Sequence, residues 1–393
     1  MPQLWQSKPS SRRAQCISLA ASAAMESVVA SLTDPDRPTF LHGMTPPLDS
    51  TSVGDAQVIA DKFIARSRNL ASDGFIVYDI QDEPSRSGAS RPFPFRQLMD
   101  SSTYAALVSR SSGKPCVVYK CCDDAHFDRW LETAADQHGH DAINVVGRPS
   151  ADAPPKGPSM REAMALVAAE SRVSFGCVCI PERHTDDYAK SRGKAAPGEH
   201  ENMLRKHNAG AKWFISQAVY DAGPTIRLLR DYGAACRARG LAPRKVVLTF
   251  APCGRAKTMV FLKWLGVRVP EDAEKRILEA ESPVDESVAL LCELFAEILD
   301  KTRGCGVPLG VSVESVSIFK KEIEAVHDLF RKTQAIALDH RGKAWKVTWS
   351  EASPAPAAAA PAAAPAASPA VALAAAALAV SVACLLIVVA KLP

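Results

Sequence analysis

The sequence carries no excess of charge of either sign. Over 393 residues, 47 Lys and Arg stand against 43 Asp and Glu, a formal net charge of +4, which removes any global electrostatic argument for a nucleic-acid partner. Its eleven cysteines include no CxxC, and with the histidines they form no cluster at zinc-finger spacing. A structural zinc site is therefore not expected, and no metal is assigned. Cys177 and Cys179 flank Val178 in an alternating apolar run, the pattern of reduced thiols at buried strand positions in a cytosol-facing protein. No Gly-rich phosphate fingerprint follows the first apolar run, which weighs against an open dinucleotide-binding sheet. No acid precedes Glu26, whereas Lys8, Arg12 and Arg13 do. That stretch lacks the continuous apolar core of a secretory signal, so residues 1–35 read as a disordered extension or an organelle-targeting segment.

The other end is poor in everything except Ala, Pro and small apolar residues. Ser353 to Pro369 is almost only Ala, Pro and Ser, a composition that spaces rather than packs, and residues 351–370 are read as a linker. Residues 371–390 then run without charge for about the twenty residues a bilayer-spanning helix needs. Only Lys391, Leu392 and Pro393 follow. The expectation is a single transmembrane tail anchor with the rest of the chain facing the cytosol; an Ala-rich helix or a disordered tail is the alternative.

What lies between is well supplied with core-forming residues, in a chain that is 47% hydrophobic. From about Pro38 to Thr333, short apolar runs alternate with longer amphipathic stretches, as in parallel strands joined by helices. The candidate strands are Thr39 to Gly43, Phe75 to Ile80, Cys116 to Cys121, Ala142 to Gly147, Phe175 to Ile180, Trp213 to Ala218, Lys245 to Ala251 and Leu309 to Val313. Eight such units predict an α/β fold, a closed (β/α)8 barrel over residues 36–350. Working residues of such barrels sit where strands end. Here those positions hold His42 and Gly43, Asp79 and Gln81, Tyr119 and Lys120, Arg148, Glu182 and His184, Gln217, Cys253 and Arg255, and Ser312 and Glu314.

One segment carries more. Pro181, Glu182 and His184 follow the fifth strand; then come Asn202, Arg205 and Lys206, the run Ala209 to Ala211, a strand ending Ile215, Ser216, Gln217, and Asp221. Downstream, Val267 to Pro270 forms a Val-x-Val-Pro element, and Pro46 and Pro47 follow the first strand. In this order and spacing the chain resembles the methylenetetrahydrofolate reductase family over roughly residues 38–335, most strongly over 175–300. The resemblance implies a barrel in which NAD(P)H reduces FAD and the flavin passes hydride to the methylene carbon of a folate. It implies FAD contacts at His184, Glu199, Asn202, Arg205 and Lys206, and a folate- and flavin-facing amide at Gln217. A homo-oligomer is left open.

The pattern also departs from the family. Its general acid, a Glu on the first strand, is replaced by Gly43. Where the family's fourth strand commonly ends in Arg-Gly-Asp, this chain has Arg148, a cation suited to a more anionic ligand or cofactor group. Three residues are candidates to restore a proton donor: His42 if the strand shifts by one residue, Glu314 from across the mouth, and Asp79 from the second strand. The competing expectation is a catalytically impaired or repurposed membrane-anchored barrel that binds flavin or folate as a sensor or partner-binding module.

Overall fold

The computed structural model describes residues 27–82, 90–148, 154–191, 198–317 and 319–344. Eight parallel strands close on themselves in chain order: β1 (Phe40–Met44), β2 (Gly74–Val77), β3 (Cys116–Cys121), β4 (Ala142–Val146), β5 (Ser174–Cys179), β6 (Trp213–Ala218), β7 (Lys245–Phe250) and β8 (Leu309–Glu314). Closure is made by β1 against β8, with Leu41 opposite Ser312 and Gly43 opposite Glu314. The helices are α1 (Val28–Thr33), α2 (Val53–Ser67), α3 (Ser101–Ser112), α4 (Phe127–Glu132), α5 (Met160–Ala169), α6 (Asp186–Ser191), α7 (Glu199–Asn208), α8 (Ala222–Ala238), α9 (Ala256–Trp264), α10 (Glu271–Leu278), α11 (Pro283–Lys301) and α12 (Lys320–Ala344).

Alternation along each strand sorts residues into two layers. Inward-facing Leu41, Ile76, Val117, Tyr119, Trp213, Ile215 and Val247 pack together inside the barrel. Outward-facing Ile143, Val145, Phe175, Cys177, Phe214, Leu248, Val311 and Val313 join the helices in the main core. The cysteines behave as small apolar residues in this layer: Cys177 and Cys179 are fully buried, and burial pushes both thiols above their ordinary value, Cys177 to about 12.

Local signals place the helix starts. The Ser52 side chain accepts from the Asp55 amide at the head of α2, Asp100 accepts from Thr103 at the head of α3, and Ser159 with Glu162 forms a reciprocal capping box on α5. Helix α3 is the helix that the (β/α)8 repeat predicts after β2. Its polar Ser-rich sequence hides an inner face of Tyr104, Ala105, Leu107 and Val108.

Order begins earlier than the expected extension 1–35 allows. Helix α1 buries Val28 and Leu32 against the inner residues of the barrel, closing the end at which the strands begin. There the buried Lys245 ammonium donates to the carbonyls of Ser31 and Arg37 and to Thr39 Oγ1. Burial still lowers its pKa to about 8. Among the described residues no helix is long and apolar enough to cross a membrane; the expected linker 351–370 and tail anchor 371–390 lie outside the described residues.

Candidate functional site

At the C-terminal mouth, the position left empty by Gly43 is already filled. A Cβ on Gly43 would lie 2.9 Å from the ring and hydroxyl of Tyr78 and 3.1 Å from Cβ of Glu314. Glu314 is half-buried. The Tyr78 hydroxyl lies beside its carboxyl and acts to lower its pKa. The Glu314 Oε2 atom is sealed from solvent without a partner. Burial outweighs the tyrosine's effect and raises the Glu314 pKa to about 7. Tyr119 stands edge-on to Tyr78, ring centroids 4.7 Å apart, and its own pKa rises well above the ordinary phenol value through burial and the nearby Glu314 carboxylate. Glu314 thus stands not across the mouth from β1 but on the strand beside it.

The same interior holds polar groups that no protein atom satisfies. Asn144 shares the inward face of Ala142 and Val146 and lies opposite Tyr119 in the β3–β4 register. It is fully buried, with neither its amide oxygen nor its nitrogen paired. The Ser312 hydroxyl and Gln217 Oε1 are buried and unpaired as well, while Gln217 Nε2 donates to the Leu265 carbonyl at 2.8 Å. Leaving buried polar atoms unmatched costs roughly 1–3 kcal/mol each, so several lining one barrel interior mark a place built for a polar ligand or bound water.

Glu182, in the single 3-10 turn Pro181–Arg183 after β5, is a second carboxyl raised to about 7 by burial, again with Oε2 unpaired. On the β2–β3 side, a cavity of about 390 Å³ is lined by Asp79, Gln81, Asp100, Lys120, Asp123 and Asp124, among others. Asp79 is tied down there by the Cys121 amide at 2.8 Å and by Gln81 at 2.7 Å. Burial raises its pKa.

His42 stands elsewhere. It faces the helices, 3% exposed, with ring centroids 4.7 Å from Phe63 and 5.6 Å from His327. Desolvation and His327 lower its pKa to about 3. The strand does not shift by one residue, so the acid role offered for His42 does not fit this placement.

The residues expected to hold FAD are brought together, but they are turned on one another. Glu199 is 1% exposed; its Oε1 accepts from the Ile180 amide at 3.1 Å and its Oε2 from Asn202 at 2.9 Å. Arg205 donates to Asn202 Oδ1, and Lys206 donates to the Val178 carbonyl at 2.6 Å. These bonds tie α7 to the end of β5. His184 turns to Asp231, Nε2 to Oδ2 2.8 Å, with the His200 ring perpendicular at 5.1 Å. Arg148, at the end of β4, is half-buried and acts electrostatically on Cys122. Only Arg205 of the α7 set is exposed. With Glu199, Asn202 and Lys206 committed internally, the described residues do not form a cradle for the FAD pyrophosphate.

Sequence reasoning missed Tyr78 and Asn144, and it missed the approach of His184, His200 and Asp231. Tyr78 was legible as an inward position two residues beyond Ile76. Asn144 was legible as a polar residue inside an apolar strand.

No family model matches the chain, and no curated protein matches it. Among solved structures, an uncharacterised protein from Clostridium thermocellum, described as binding two copies of 5-methyl-5,6,7,8-tetrahydrofolic acid, is similar over 79% of this chain and 98% of its own length. The identity is 26% and the TM-score 0.63. A dihydropteroate synthase from Xanthomonas albilineans, solved with 4-aminobenzoic acid, is similar over 77% of this chain and 94% of its own, at 17% identity and a TM-score of 0.39. That second likeness is too distant to bear on the ligand.

Proposed function

We propose that the chain binds a reduced folate at the C-terminal mouth of its barrel and acts on the one-carbon unit as an oxidoreductase of the methylenetetrahydrofolate reductase type. Glu314 is the acid. The observation that carries this reading is the Gly43–Glu314 exchange: a carboxyl beside the first strand, in register with Gly43, next to Tyr78 and raised to about 7. The likeness to a methyltetrahydrofolate-binding protein supports the ligand class.

A carboxyl that keeps its proton near neutral pH can donate it to a ring nitrogen of a methylene-bridged tetrahydropterin. The N–C bond then opens, the methylene carbon becomes an iminium ready for hydride, and the carboxylate left behind offsets its charge. Asn144, Ser312 and Gln217 Oε1 offer the unspent hydrogen-bonding groups that a pterin edge requires. NAD(P)H is the proposed hydride source. The FAD of the resembled family would carry that hydride when bound, but the internal bonds of Glu199, Asn202 and Lys206 fit it poorly, and no step is derived through it.

Those same bonds favour a second reading, a barrel that binds folate without flavin and serves as a sensor or partner-binding module. Purified full chain, mixed anaerobically with NAD(P)H and methylenetetrahydrofolate, separates the two. Folate-dependent oxidation of the nicotinamide supports the enzyme, and saturable folate binding without oxidation supports the module. Flavin absorbance of the purified chain decides the cofactor. The tail anchor belongs to the same proposal: residues 371–390 hold the barrel on the cytosolic side of a membrane, tested by resistance of the full chain to carbonate extraction.

A further inference from the structure

His184, His200 and Asp231 come from three separate elements and converge. His184 follows the 3-10 turn after β5, His200 is the second residue of α7, and Asp231 lies on α8. One ligand atom from each lies within 4.8 Å of the other two. His184 Nε2 is 2.8 Å from Asp231 Oδ2, and the two imidazoles meet at right angles, 5.1 Å between centroids. The Nδ1 atoms of both His184 and His200 are shut off from solvent with no partner. Neighbouring imidazoles with unspent nitrogens beside a carboxylate are a poor arrangement for two isolated histidines and a good one for a shared cation. Gly198 keeps the place open, because a Cβ there would lie 2.7 Å from His200 Nδ1 and 3.0 Å from His184 Cε1.

We propose that His184, His200 and Asp231 form a binding site for a divalent first-row transition-metal ion between the turn after β5 and helices α7 and α8. Two imidazoles and one carboxylate select borderline metals such as zinc over magnesium or calcium, which prefer all-oxygen shells. Three protein ligands leave a position for water. Glu201, whose Oε1 is 3.6 Å from His200 Nε2 and 3.1 Å from Arg239 Nη2, stands beside the set; its pairing with Arg239 keeps that arginine's charge from opposing the ion. Side-chain exposure is 10% for His184 and 23% for His200, against 55% for Asp231. The ion therefore enters from the Asp231 side.

The test uses the full chain, stripped with a chelator and titrated with Zn²⁺ and separately with Co²⁺. The expected result is one saturable equivalent of Zn²⁺ and a Co²⁺ absorption spectrum of low, nitrogen-containing coordination. His200→Gln and Asp231→Asn should each weaken Zn²⁺ binding by roughly tenfold or more. Asp231 is exposed, so Asp231→Asn leaves the fold intact, and circular dichroism checks both variants. Absence of saturable Zn²⁺ binding to the unmodified chain, or unchanged affinity in both folded variants, overturns the proposal.

Discussion

Gly43 and Glu314 face each other across the seam that closes the barrel, in register on β1 and β8, and the carboxylate missing from one strand is present on the next. On the proposed reading, Glu314 supplies from β8 the proton donor that β1 lacks.

Restoring a side chain at position 43 should do harm. In Gly43→Ala the new methyl meets Tyr78 at 2.9 Å and Glu314 Cβ at 3.1 Å, an overpacking expected to cost about 1–3 kcal/mol. Urea unfolding should show the lower midpoint. Gly43→Glu should be more destabilised still and should not improve any folate-dependent activity.

Glu314 should leave its mark on stability as a function of pH. Its pKa is raised from 4.5 to about 7, so between those values the folded chain holds a proton that the unfolded chain has lost. Its contribution is complete below about 4.5 and is lost as pH rises through about 7. In Glu314→Gln the fall in stability over that window should be shallower. It should not vanish, because Glu182 is raised to about 7 as well. Denaturant midpoints measured every half unit from pH 4.5 to 8 read the difference.

His42 should behave in the opposite sense and without effect on the ligand. Its pKa is lowered from 6.5 to about 3, so it contributes stability above 6.5 that is lost as pH falls toward 3. His42→Phe, which keeps the bulk between Phe63 and His327, should make that acid-side dependence shallower without abolishing it, because His207 is lowered to about 4 as well; it should change stability at neutral pH by less than about 1.5 kcal/mol and leave folate affinity unchanged. A large loss of affinity would return His42 to the mouth.

The helix that plugs the barrel floor should be structural. Leu32 is fully buried against the inner core, and Leu32→Ala is expected to cost about 2–5 kcal/mol, read by thermal or urea unfolding.

The sequence displays the barrel plainly because its signals are local. The runs Cys116–Cys121 and Trp213–Ala218 read as strands with the observed bounds, and the alternation of Leu41, His42 and Gly43 already assigns His42 to the outer face. The bounds of helix α3 are less legible, because Ser101, Ser102 and Ser109 dilute the apolar spacing of Tyr104, Leu107 and Val108. Glu314 is legible as a carboxylate at a strand end, but its pairing with Gly43 depends on the register of barrel closure, which joins the two ends of the domain. The convergence of His184, His200 and Asp231 is less legible again, since it depends on how α7 and α8 sit over β5. Lys206 and Glu199 show the reverse case: at motif spacing they read as cofactor ligands, yet their distances show them holding α7 to β5.

The most direct test is titration of the purified chain with 5-methyltetrahydrofolate, followed by the quenching of intrinsic fluorescence, for the unmodified protein and for Glu314→Gln at pH 6 and pH 8. Saturable binding is predicted. In the unmodified chain its affinity should change across the Glu314 pKa, and in the variant that change should be smaller. Absence of saturable binding, or an identical pH dependence in both proteins, would contradict a folate site built around Glu314.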